Sequence, residues 1–181
     1  MAIKSNFKNM LTVLFIVCLL CAAVLAVVYA VTQSKKAAAA KAEAAAAIAE
    51  VLPEGGKISK AIFEGETEYY EYSVDKAVSA YAVKSSVNGF GGALTLVVGV
   101  LKDGTIYDTK VLSHSETPGL GAKMTSDSTF INQWKGLPAD ADLRVKKDGG
   151  VIDAITASTI TSRAYALAVQ NARAFVQSLQ K

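Results

Sequence analysis

The sequence predicts an α+β domain, a small antiparallel sheet closed by a C-terminal amphipathic helix, carried on an apolar N-terminal helix. Three observations predict it. Short runs rich in Val, Ile, Tyr and Thr, mostly bounded by Gly, Asp or Asn, read as strands. Between two of them Lys102-Asp103-Gly104 is a tight-turn signature, because glycine takes the positive φ that a twisted hairpin requires. The last segment places its apolar residues at three- and four-residue spacings, the pattern of a helix with one buried face. Strands, short turns and few helices together make an α+β domain. At 181 residues there is room for a domain of about 100 to 150 residues and an anchor, but not for two full domains.

The chain reads in four parts: a short tail over 1–9, a transmembrane helix over 10–32, an Ala-rich helical stalk over 33–51, and the globular domain over 52–181. From Met10 to Thr32 no residue is charged, and roughly 20 apolar residues are what a helix needs to cross the hydrocarbon core. A cleaved secretory signal is the competing reading, with Val28-Tyr29-Ala30 as its cleavage site. Signal peptides have shorter apolar cores, about 7 to 15 residues, which favours an uncleaved anchor. Lys4 and Lys8 precede the span and Lys35, Lys36 and Lys41 follow it, so positive charges do not set its orientation. The only cysteines, Cys18 and Cys21, fall inside the span and read as small apolar residues there. The domain itself therefore has neither a disulfide framework nor a thiolate metal site. After the span the alanines are the best helix formers, and neither Gly nor Pro intervenes before Pro53.

Within the domain the expected strands are 68–74, 79–83, 93–100, 105–111 and 151–155, with antiparallel pairing across the Lys102–Gly104 turn. The closing helix is expected over 162–180, with Leu167, Ala168, Ala172, Phe175, Val176 and Leu179 on its buried face. A net charge of +3, with nineteen Lys and Arg scattered among sixteen Asp and Glu, gives no basic stripe for nucleic acid. The single histidine, His114, has no other His to build a metal site with and suits packing or a loop hydrogen bond. No Ser-His-Asp or Cys-His set and no phosphate-cradling P-loop is evident.

The densest chemistry lies in Asp153-Ala154-Ile155-Thr156-Ala157-Ser158-Thr159-Ile160-Thr161-Ser162-Arg163, which leaves the last expected strand and enters the helix. A helix start exposes unpaired N–H groups and a partial positive charge, so a phosphate there gains hydrogen bonds and electrostatic stabilisation. Arg163 would add charge-assisted contacts. A simple Ser/Thr N-cap accounts for the same composition and needs only one of the hydroxyls.

Thr156-Ala157-Ser158-Thr159-Ile160-Thr161-Ser162, preceded by Asp153, resembles the flavinylation motif of a covalent FMN-binding domain family. The G subunit of Rnf ion-translocating ferredoxin:NAD oxidoreductases and the C subunit of sodium-translocating NADH:quinone reductases share that domain. Asn88-Gly89-Phe90-Gly91-Gly92 resembles its glycine-rich loop, and His114-Ser115-Glu116-Thr117-Pro118-Gly119-Leu120-Gly121 its second signature. The resemblance implies FMN esterified through its phosphate to Thr159, moved there from FAD by a flavin transferase. The same cluster offers further contacts from Thr156, Ser158, Thr161, Ser162 and Arg163, with the neighbouring hydroxyl of Ser158 as the alternative point of attachment. The resemblance also places the loop of Glu116, Thr117, Gly119, Leu120 and Gly121 near the flavin, with Glu116 orienting the loop. Trp134, the only tryptophan, suits either ring stacking or core packing. Two departures stand out: the family usually has Gly at Ala157 and Ala at Ser158. Ala157 narrows the backbone choices of the loop, because only glycine takes positive φ freely.

The implied role is an electron relay on one membrane helix, inactive alone, between other integral membrane and redox subunits of an Rnf complex. Its expected place is the inner (cytoplasmic) membrane, with the domain on the extracytoplasmic side. The corresponding component of the quinone reductase is the nearest alternative, but it is usually longer and carries insertions. A free-standing extracellular flavin shuttle and a tethered interaction module without flavin are the others.

Overall fold

A computed structural model describes residues 7–180. Lys4 and the rest of 1–6, residue 181, and the side chains of residues 34, 35, 37 and 38 lie outside that description. The chain divides into two compact units, Met1–Glu43 and Ala44–Lys181. The first consists of helix α1, which spans Phe7–Glu50 and ends within the second. Its stretch Phe7–Gln33 is long and apolar enough to cross a membrane, and none of that window is buried within the protein. Apolar side chains around the whole circumference, with no protein against them, suit a helix surrounded by lipid.

The second unit is a six-stranded sheet: β1 (Lys57–Ile58), β2 (Ile62–Glu64), β3 (Thr67–Val74), β4 (Ala77–Asn88), β5 (Ala93–Leu101) and β6 (Ile106–Ser113). The order is β1-β3-β4-β5-β6, with β2 also on β3, and every pairing is antiparallel. Four of the expected strands are present, and β4 runs on to Asn88, beyond the expected end at Val83. The β5–β6 connection is the expected tight turn, with Gly104 at φ 91° and its N–H donating to the Leu101 carbonyl. The very short β1 and β2 had no hydrophobic run to mark them.

Residues 151–155 do not form a strand. Ile152 makes one isolated parallel bridge to Val145, its N–H donating to the Arg144 carbonyl and its own carbonyl accepting from Lys146. Its neighbour Gly150 lies so close to Arg144 that a Cβ there would stand 2.0 Å from the Arg144 carbonyl oxygen. A loop with local backbone partners, of which Ile152 and Ile155 are buried, thus carries the same apolar, β-branched composition as a strand.

Alternation along β5 separates two cores. Leu94, Leu96, Val98 and Val100 face helix α3 (Thr159–Leu179) and short helix α2 (Ser128–Asn132), alongside Phe130, Trp134, Tyr165, Val169 and Val176. On the opposite face Val97 joins Ala80, Ala82 and Tyr72 against Ala47, Ile48, Val51 and Leu52 at the end of α1. Gly99 permits that approach, since a Cβ there would lie 1.7 Å from the Val51 carbonyl oxygen. Helix α3 buries Ala168, Ala172 and Val176 as expected, whereas Leu167 points outward at 49% exposure. It also starts at Thr159, three residues before the expected Ser162.

Candidate functional site

Three segments distant in sequence meet where α3 begins: the β4–β5 loop around Gly89–Gly92, the loop after β6 around Glu116–Gly121, and the hydroxyl cluster. Glu116 joins them. Its carboxylate is buried, with Oε1 accepting from the Gly91 N–H at 3.1 Å and Oε2 from the Thr161 hydroxyl at 2.7 Å. The glycines make room for it. A Cβ on Gly89 would meet Glu116 Oε1 at 2.2 Å, and one on Gly121 would meet Oε2 at 2.4 Å and Thr161 Oγ1 at 2.7 Å. The Glu116 N–H donates to His114 Nδ1 at 3.2 Å, the loop hydrogen bond that suited this histidine. Gly119 turns the loop at φ 77°, and the Leu120 and Ala122 N–H groups both donate to the Thr117 carbonyl.

The hydroxyl cluster divides by task. Ser162 is fully buried; its hydroxyl donates to the Ser158 carbonyl and accepts from the Ile155 N–H, each at 3.0 Å, locking the incoming loop onto the helix. Thr161 is held by Glu116. Thr156 lines a separate small cleft with Asp127 and Gln133. Ser158 is the N-cap residue, buried, and makes no side-chain capping bond. Thr159, half-buried at the first helical position, has no side-chain hydrogen-bond partner among the described residues. The N–H groups of the first turn have no intrahelical acceptor, so this helix start keeps its capacity to bind an anion. Helix α2 differs: Asp127 caps it, accepting from the Thr129 and Phe130 N–H groups.

Ala157 sits at φ 62°, in the left-handed region where an L-residue is strained. The glycine-like conformation persists here although the side chain is alanine.

Phe90, Glu116, Thr117, Leu120, Gly121, Ala157, Ser158, Thr159, Ile160 and Thr161 surround one cleft of about 360 Å³, within the range of about 300 to 1,000 Å³ usual for small-molecule sites. A groove of the same volume at Phe63, Lys84 and Phe175 holds none of the sequence-predicted site residues.

Two expected contacts are corrected. Trp134 is 0% exposed, stacked on Tyr165 at 4.9 Å and edge-on to Phe130, so neither face of its ring is open to a ligand. Tyr165 donates or accepts a hydrogen bond with the Thr109 hydroxyl, and burial pushes its phenol well above the ordinary range. Arg163 turns away to Asp148, with Nε and Nη2 on the two carboxylate oxygens at 2.7 and 2.6 Å. That hydrogen-bonded pair raises the guanidinium and lowers the carboxyl from their ordinary values. Ser162 and Thr156 likewise serve the fold or face elsewhere. Sequence reasoning passed over Phe90 and Ile160 as cleft residues; a large apolar side chain between glycines was the signal available for Phe90.

The profile of the FMN-binding domain family matches residues 89–174, a span that contains all three converging segments. The matched segment is similar to FMN-binding domains. Curated relatives are similar to part of this chain. The G subunit of the ion-translocating oxidoreductase complex of Escherichia coli (strain K12) is 41% identical over 110 residues, 58% of this chain and 53% of the relative. The G subunit of the proton-translocating ferredoxin:NAD(+) oxidoreductase complex of Clostridium ljungdahlii is 40% identical over 110 residues, 60% of this chain and 59% of the relative. Its counterpart in the ion-translocating oxidoreductase complex of Erwinia tasmaniensis is 38% identical over 110 residues, 58% of this chain and 52% of the relative. The chain thus spans between 52% and 59% of the length of these curated relatives. Among solved structures, the C subunit of the Na(+)-translocating NADH-quinone reductase from Parabacteroides distasonis is similar with a TM-score of 0.49 and 25% identity, covering 64% of this chain and 63% of that one.

The residues fit the cofactor. The uncapped start of α3 suits a phosphate, and the apolar cleft beside it suits a flat ring. The segment that matches the FMN-binding family has its glycines where Glu116 and the loop backbones approach closely.

Proposed function

We propose that this chain is the membrane-anchored, FMN-bearing electron-transfer subunit of an ion-translocating ferredoxin:NAD oxidoreductase of the Rnf type, its FMN joined by a phosphoester to Thr159. The observation that carries the reading is the Thr159 hydroxyl. It lines the cleft of an FMN-binding domain at an uncapped helix start, without a partner of its own among the described residues.

Neighbouring hydroxyls are less suited to attachment. Ser162 and Thr161 are bonded within the fold, Thr156 faces another cleft, and Ser158 is more deeply buried than Thr159. Attachment requires a flavin transferase that uses FAD. The Thr159 oxygen forms a bond to the FMN phosphorus as the pyrophosphate bond of FAD breaks, AMP leaves, and the hydroxyl proton is released. The first-turn N–H groups of α3 would hold the phosphate oxygens, which the partial positive charge of the helix end would favour. Glu116 keeps Thr161 and the glycine loop in register around the cleft. FMN supplies reversible electron transfer at the site; the chain supplies position, electrostatics and access.

An N-terminal span anchors the chain, and other redox and integral membrane subunits of the complex exchange electrons with its domain. We place the domain on the extracytoplasmic side, where covalent attachment prevents loss of a cofactor that is not replaced there. Co-expression of the full chain with and without a flavin transferase, followed by intact-mass measurement, tests the reading. A gain of one FMN less one water is expected only with the transferase, and Thr159→Ala is expected to abolish it. A wild-type chain that never gains this mass refutes the flavoprotein reading, and a modified Thr159→Ala chain refutes the site.

A further inference from the structure

We infer that Phe90 is the aromatic wall of this site and packs against the isoalloxazine ring; the inference rests on the FMN reading above. Phe90 is 69% exposed, yet it lines the same cleft as Thr159. At that exposure its ring is not part of either buried core. The loop that carries it is nonetheless held firmly. The Gly89 N–H donates to the Gly92 carbonyl at 2.8 Å, and the Gly91 N–H donates to the buried Glu116 carboxylate at 3.1 Å. Gly91 lies so near the neighbouring strand exit that a Cβ there would stand 2.1 Å from the Ser115 carbonyl oxygen. A rigid, glycine-pinned loop thus holds out one aromatic ring at a cleft. Position without burial is what a stacking platform requires and what a packing residue does not.

Two further exposed apolar residues of the cleft, Leu120 at 44% and Ile160 at 54%, come from the other two converging segments. Each motif therefore contributes one large apolar side chain to the cleft beside Thr159. Aromatic rings gain from offset or edge contacts beyond their buried area. Phe90 accordingly selects for a flat, aromatic cofactor head, whereas the helix start selects for its phosphate.

Tryptophan substitution reads the contact directly, because an indole touching a flavin quenches its emission. Phe90→Trp, flavinylated in the full chain, is expected to lose flavin fluorescence several-fold against wild type at equal flavin content by intact mass. Phe63→Trp is the control: Phe63 is 68% exposed but lines the other groove, and its variant is expected to keep wild-type emission. Phe90→Ala gives a second readout independent of the larger side chain, with collisional quenching by iodide expected to rise. Flavinylated Phe90→Trp with the emission of Phe63→Trp, or iodide quenching unchanged in Phe90→Ala, overturns the inference and leaves the FMN reading standing. Chains that carry no FMN in any variant overturn both.

Discussion

Ala157 holds a left-handed backbone at φ 62° between exposed Thr156 and buried Ser158. An alanine in that region is strained by about 1 to 2 kcal/mol relative to the right-handed one. Glycine removes the strain but gives the unfolded chain more freedom, so the net gain is smaller. Ala157→Gly is therefore expected to stabilise the domain by roughly 1 kcal/mol, seen as a higher melting temperature; an unchanged or lower one contradicts the strain. This residue was legible in the sequence, since a position that usually takes glycine announces its backbone. The division of labour among the hydroxyls was not. Thr159, Thr161 and Ser162 look alike in composition, and only the carboxylate of Glu116 and the Ser158 carbonyl, one of them distant in sequence, tell them apart. Arg163 was misread for a related reason: Asp148 competes with any phosphate for its guanidinium, and the two are brought together by the turn at 146–148. Trp134 shows that residue type does not reveal burial, because the same ring suits a ligand site and a core.

At the scale of elements, β5 bears the most constraint, because helices cover both of its faces. Gly99 is the point of closest approach, where the carbonyl of Val51 occupies the space a side chain would take. Backbone lies on both sides of that contact, so it cannot yield by a rotamer change. Gly99→Ala is expected to displace the end of α1 from the sheet and to cost about 1 to 3 kcal/mol, as overpacked cores do. Hydrogen exchange should then report faster opening of residues 47–52, and unchanged protection there contradicts the assignment. The hairpin at Lys102–Gly104 was legible because glycine and its neighbours encode the turn locally. Residues 151–155 misled because only Ile152 and Ile155 are buried and neither needs a sheet partner, while Val151 is exposed. The start of α3 was placed late because threonine and serine serve equally as caps, turns and first-turn residues.

For the whole molecule, the domain gathers a group of buried and half-buried tyrosines on the core side and rim of its sheet. Burial first, and then the hydrogen bond Tyr70 donates to Glu68, push the Tyr70 phenol up to about 12. Burial likewise raises Tyr69, Tyr81 and Tyr165. A folded value above the unfolded one means that stability is fully present below pH 10.0 and is lost as pH rises toward about 12. Titration of phenolate absorbance is expected to show a delayed fraction that appears together with loss of secondary structure. Complete ionisation near the ordinary value in the folded protein contradicts this packing.

The site lies at one end of that core, where a helix opens without a cap and three motifs share one buried carboxylate. The most direct measurement of what the site holds is peptide mass analysis of the protein taken from its native membrane. Tryptic cleavage after Lys147 and Arg163 releases residues 148–163 as one peptide. The account predicts that this peptide carries FMN, and that fragmentation places it on Thr159. The peptide recovered unmodified, or with the flavin on another residue, contradicts the account.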